Sequence, residues 1–127
     1  MKTPLAPDDP RPHLLDLTAA ELHTWLRQRS YPAFRCGQIS NWVLQRRAES
    51  FQGMSDLPKK LREELDRSFR LWTATVAAHQ QADDGTEKLL LQLADGGRIE
   101  CVLLREEARR SICVSSQVGC AMGCVFC

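Results

Sequence analysis

The chain has 127 residues, 43% of them hydrophobic, and a formal net charge of +1, which bounds it to about one domain with a modest core. No run approaches the roughly 18 apolar residues that span a bilayer, and Met1–His13 has no apolar stretch that could act as a signal peptide, so a cytoplasmic protein without membrane attachment is expected. In that reducing compartment the six cysteines are expected to bind metal or do chemistry rather than form disulfides.

The charge is unevenly spread. From Leu22 to Trp72 there are ten Lys or Arg against five Asp or Glu, whereas from Thr73 onward seven acids face five bases. A basic front half beside a near-neutral back half fits either a phosphate-contacting surface or an ordinary solvated helix face.

Residues 1–13, rich in Pro and Asp, are expected to form a disordered tail. Structure then starts with a capping box at Thr18-Ala-Ala-Glu21, flanked by Leu17 and Leu22 as its hydrophobic staple. Leu22, Trp25 and Leu26 share a helical face, and this helix should end near Ser30, ahead of Pro32. A second helix is expected from about Arg35, with Ile39, Trp42 and Val43 inward and Arg46 and Arg47 outward. After a turn at Gly53, a third should begin near Ser55 or Pro58, its apolar stripe formed by Leu61, Leu65 and Phe69. Residues 14–72 thus read as a small helical bundle with basic outer faces, and Trp25, Trp42 and Phe69 as its packing residues.

Beyond Trp72 the period changes from helical to alternating. Residues 73–110 read as a β-hairpin region in which Glu87–Leu93 and Arg98–Leu104 are joined through Asp95-Gly96-Gly97. Ile99, Cys101 and Leu103 would point to one side of the second strand, Glu100, Val102 and Leu104 to the other. From the residues alone Glu100 reads as an ordinary solvent-facing carboxylate. Ser111–Ser116 reads as a further strand, running into a stretch that holds four of the six cysteines, "CVSSQVGCAMGCVFC".

Cys120, Cys124 and Cys127 are spaced C-x3-C-x2-C on a short loop, close enough for three sulfurs to bind one metal centre. A structural zinc site wants four ligands, usually as two C-x2-C pairs. Cys113 could complete such a set with Cys120, Cys124 and Cys127, giving a small zinc-binding domain. A cubic four-iron cluster can instead be held by three thiolates, which leaves one iron open. This spacing, with Phe126 just before the last cysteine, resembles the signature of radical S-adenosylmethionine enzymes.

The surroundings narrow the resemblance. "CVSSQVGCAMGCVFC", preceded by "GGRIECVLL", resembles the RlmN branch of the RlmN/Cfr family of RNA methyltransferases. "LLDLTAAELHTWL", "YPAFRCGQISNWV" and "MSDLPKKLREEL" are similar to the family's N-terminal accessory domain, so the likeness runs over residues 14–127. It implies an α+β fold: an RNA-contacting helical domain, a β-hairpin, and at 111–127 the first strand and cluster loop of a radical S-adenosylmethionine β/α barrel.

It also implies residue roles. Cys120, Cys124 and Cys127 match the ligands of a [4Fe-4S] cluster, and Phe126 is a candidate contact to S-adenosylmethionine. Cys113 matches a resolving cysteine that frees a covalent RNA adduct through a transient disulfide, and Glu100 matches the proton acceptor. Cys36 and Cys101 match no functional position and read as packing residues.

The implied reaction is methylation at C2 of adenine, in 23S rRNA near the peptidyl transferase region and in tRNA beside the anticodon. That carbon is electrophilic, so methyl transfer from a sulfonium to a nucleophile cannot serve there. The family uses a radical route through a methylated cysteine near its C-terminus, with an electron donor such as flavodoxin and a monomeric enzyme. That methyl-carrying cysteine and most of the barrel have no counterpart in these residues. The chain is therefore expected to be an N-terminal fragment, inactive alone. The alternatives are an RNA-binding remnant without catalysis and the zinc-binding domain.

Overall fold

The computed structural model describes residues 9–125. They form two compact units, residues 9–73 and residues 74–125, each described here by itself.

The first unit holds three helices: α1 (Ala19–Gln28), α2 (Phe34–Leu44) and α3 (Lys59–Ser68). The capping box starts α1 as expected. The Thr18 hydroxyl accepts from the Glu21 N–H at 3.3 Å, and Glu21 Oε2 accepts from the Thr18 N–H at 2.7 Å, satisfying two donors that a helix start leaves open. Those bonds hold the Glu21 carboxyl below its usual range, the backbone N–H of Thr18 contributing most. α1 stops at Gln28, and Ser30 takes a positive φ of 62° as the chain turns toward Pro32.

The core of this unit is assembled from Leu22 and Leu26 of α1, Cys36, Ile39 and Val43 of α2, and Leu61 and Leu65 of α3. Phe51, Met54 and Leu57, in the connection that includes a single 3-10 turn at Phe51–Gly53, complete it together with Phe69 and Leu71. Phe69 caps α3 rather than belonging to it. Trp25 packs from the margin, 5.3 Å from the Phe69 ring. Burial pushes the Cys36 thiol up, in keeping with its reading as a packing residue.

Trp42 packs against the core as expected, but from its rim: it is partly buried, donating its indole N–H to Asp56 and carrying the Arg46 guanidinium 4.4 Å above its ring. Its polar nitrogen needs a partner, which the rim supplies and an aliphatic core cannot. Of the expected tail, residues 1–8 lie outside the described residues, but Pro12 to Leu14 are tied down. Arg70 donates its N–H to Pro12 O at 2.8 Å and accepts from the Leu14 N–H at 2.8 Å.

The second unit is a four-stranded antiparallel sheet in the order β1 (Thr75–Gln81), β2 (Glu87–Gln92), β3 (Arg98–Arg105) and β4 (Arg110–Val114). The β2–β3 hairpin turns at Asp95-Gly96-Gly97, where Gly96 adopts φ 84° and Asp95 Oδ1 accepts the Gly97 N–H. β1 was not expected, and it makes the hairpin region a meander. No side chain of residues 74–125 is fully buried, so every buried residue among those described belongs to the helical unit.

Candidate functional site

The antiparallel register decides which side chains share a face of the sheet. Leu90 lies opposite Glu100, Lys88 opposite Val102, and Val102 opposite Cys113. Directly paired residues and those two positions along point the same way. Glu100 and Cys113 therefore share one face as diagonal neighbours on adjacent strands, a relation that spans about 7–8 Å in such sheets. Cys101, opposite Val114, points to the other face with Leu89.

Glu100 is 55% exposed, and its Oε1 lies 3.4 Å from Nζ of Lys88. Its backbone carbonyl is used as well. It accepts from both the N–H of Ser115, at 3.2 Å, and the Ser115 hydroxyl, at 2.8 Å. The strand carrying Glu100 thus fixes the point at which the chain leaves β4 for the cysteine loop.

That loop is built around two left-handed glycines. Gly119 (φ 72°) and Gly123 (φ 62°) immediately precede Cys120 and Cys124, and such a backbone is open to glycine without the steric penalty a Cβ brings. Both thiols are exposed, and the Met122 N–H points at Cys120 Sγ from 3.5 Å. A backbone donor aimed at one sulfur, with soft and accessible thiols, suits a thiolate ligand set. Cys127 and Phe126 lie outside the described residues, so two of the three expected cluster ligands are visible. Among the described residues no three metal-ligating side chains converge on one point. Cys113, Cys120 and Cys124, three members of the zinc alternative, are all described and do not form such a group.

Two arrangements escaped the sequence reading. One is Lys88 beside Glu100, whose signal is the register placing them diagonally across β2 and β3. The other is on the opposite face, where Glu87 accepts from Arg105 at 2.5 Å and meets His79 Nε2 at 2.8 Å. The Arg105 guanidinium, and then His79, hold the Glu87 carboxyl below its usual range.

Comparison with known proteins finds relatives over most of the chain. A family model described as the ribosomal RNA large subunit methyltransferase N-terminal domain matches residues 12–71. The crystal structure of a radical SAM methyltransferase from Sphaerobacter thermophilus superposes with a TM-score of 0.81 at 42% identity, over 91% of this chain and 34% of that one. A relative from Rhodopirellula baltica named probable dual-specificity RNA methyltransferase RlmN is 55% identical over 115 residues, 91% of this chain and 31% of its own. One from Opitutus terrae, named probable dual-specificity RNA methyltransferase RlmN 3, is 48% identical over 125 residues, 92% of this chain and 33% of its own. The chain spans about a third of the length of the curated relatives it matches.

In fold and sequence the chain falls with the radical S-adenosylmethionine methyltransferases. Within that class its helical unit matches the N-terminal domain of the RlmN family, and the relatives that resemble it over nine-tenths of its length carry the RlmN name.

Proposed function

We propose that this chain supplies the RNA-contacting domain, the proton acceptor and the cluster loop of a methyltransferase acting on C2 of adenine, in 23S rRNA near the peptidyl transferase region and in tRNA beside the anticodon. The observation that carries this reading is the shared sheet face of Glu100 and Cys113, on the strands that lead into the Cys120–Cys124 loop. The names of the relatives support RNA methylation.

Cys120, Cys124 and Cys127 would hold a [4Fe-4S] cluster, and Phe126 would help seat S-adenosylmethionine. Bound there, the pair supplies the radical chemistry an unreactive C–H position demands. The chain's own residues do the rest. Glu100, kept solvent-facing and oriented by Lys88, takes the C2 proton from the base while it is still linked to the protein. Cys113, on the same face, attacks the sulfur of that link: the S–S bond forms as the S–C bond breaks, and the freed carbon takes up a proton to become the methyl group, releasing the RNA and leaving a disulfide. One-electron reduction is assigned to a donor such as flavodoxin, and the enzyme is proposed to work as a cytoplasmic monomer. Activity is proposed for a whole protein about three times as long as this chain, as in the relatives, not for these 127 residues alone.

The test is a chimera in which this chain replaces the matched segment of the Rhodopirellula relative, purified anaerobically. About four iron and four sulfide per chain are expected for a single cubic cluster, with loss of both in Cys120→Ala and Cys124→Ala. Zinc without iron or sulfide would instead favour the zinc-binding alternative and overturn the cluster assignment.

A further inference from the structure

We infer that the rim of α2 and its exit, formed by Phe34, Arg35, Trp42, Arg46 and Arg47, is a stacking platform for an unpaired segment of RNA. This rests on the RNA substrate proposed above and assigns it a surface on the helical unit.

Three observations carry it. First, aromatic rings and guanidinium groups alternate along one side of the helix. Phe34 is 59% exposed, so its ring face is open to a ligand. Arg35 lies 4.7 Å over its ring, and Arg46 lies 4.4 Å over Trp42. One guanidinium and one ring are held in place: Arg35 donates to Gln38 Oε1 at 2.7 Å and to Asp56 O at 3.1 Å, while the Trp42 indole N–H donates to Asp56. A planar group already ordered at the surface costs little further entropy when a base stacks on it.

Second, the two cations at the exit form no ion pair. Among the described residues Arg46 and Arg47 have no carboxylate within ion-pair distance, whereas Lys59, Lys60 and Arg67 of α3 all face Glu63 or Glu64. The charge of these three side chains is neutralised locally, and the charge at the end of α2 remains for a phosphate.

Third, Arg47 stands in a left-handed backbone conformation, φ 52°, where glycine fits best and an arginine is strained. Stability alone would favour a different residue there. Its cation follows Arg46 at the exit of the aromatic stripe, where a nucleic-acid backbone running along the stripe would meet it.

The chemistry that this surface recognises is a π-face flanked by phosphates, which single strands offer and fully paired duplexes do not. The experiment is fluorescence anisotropy of the 127-residue chain, kept reduced, against a labelled RNA hairpin with an unpaired loop, titrated at several salt concentrations. Phe34→Ala is expected to weaken binding about tenfold. Arg46→Gln and Arg47→Gln should each flatten the logarithmic salt dependence by about 0.7. Arg47→Gly should raise the thermal midpoint by about 4 °C while still weakening RNA binding, which a purely structural arginine would not do. Lys59→Gln with Lys60→Gln is the control and should leave affinity within about twofold of the unaltered chain.

If the unaltered chain binds the hairpin and the α2 variants bind equally well, the platform is wrong and the RNA reading stands. A preference for fully paired RNA over the looped hairpin would also overturn it. Absence of any RNA binding by the unaltered chain would remove both this surface and the RNA contact assigned to the helical unit.

Discussion

Val118, in the loop that carries Cys120 and Cys124, lies so close to Gly97 of the β2–β3 turn that a Cβ on the glycine would sit 3.0 Å from Val118 Cγ2. The same Cβ would stand 3.0 Å from Asp95 Oδ1, the acceptor that orders the turn. Position 97 is therefore a contact between the hairpin and the cysteine loop. Gly97→Val should overpack it by about 1–2 kcal/mol and loosen the loop, read as roughly tenfold faster amide exchange at Val118 and Gly119 by NMR.

The exposed Lys88–Glu100 pair contributes little to stability, because solvent screens such pairs. Glu100→Gln should change the unfolding free energy by less than about 0.5 kcal/mol. In the active chimera the same change should lower RNA methylation by roughly 10²–10⁴-fold, the usual worth of a proton acceptor. Denaturant melts and single-turnover assays together separate the two effects. A variant that is stable and fully active would exclude Glu100 from the proton transfer.

Stability should be concentrated in the helical unit, which holds all the buried residues among those described. Leu61→Ala, at a fully buried site of α3, is expected to cost about 3 kcal/mol. Ile112→Ala on β4, where the side chain is exposed, should cost less than about 0.5 kcal/mol. Urea unfolding followed by tryptophan fluorescence reads the first, because all three tryptophans lie in residues 25–72.

Acid should weaken both units through carboxylates whose folded-state pKa is depressed. Glu21 is lowered by the Thr18 N–H and hydroxyl, and Glu87 by Arg105 and then His79. A depressed carboxylate contributes its full stabilisation above its unfolded value, about 4.3, and loses it as pH falls through the folded value. The expected result is a stability plateau at neutral pH and a decline below about pH 4. Carbon-detected titration of Glu87 should show its midpoint moving up in Arg105→Met.

Much of this structure was legible in local sequence because its determinants are local. Thr18-Ala-Ala-Glu21 starts a helix by its own hydrogen bonds, and Asp95-Gly96-Gly97 closes a hairpin by its own backbone requirement. The strand Thr75–Gln81 was not legible. Its residues, TVAAHQQ, are largely exposed and lack apolar alternation, so only pairing with β2 makes them a strand. Periodicity assigned Trp42 to the inward face but could not tell a core position from its rim.

The buried Met54 and Leu57 also went unrecognised, because their burial arises in an irregular connection with no repeat to reveal it. At the site, the spacing of Cys120 and Cys124 was plain in the sequence. The nearness of Lys88 to Glu100 depends on strand register across twelve positions of chain, which no local pattern encodes.

The proposal that this chain belongs to an adenine-C2 methyltransferase is tested by nucleoside mass spectrometry of RNA. The chimera with the Rhodopirellula relative would be expressed in cells that lack their own C2 methylation, and 23S rRNA and tRNA digested separately. 2-Methyladenosine is expected in both pools, present with the unaltered chain and absent with Cys120→Ala. A soluble, iron-loaded chimera that leaves both pools unmethylated, or that yields 8-methyladenosine instead, would contradict it.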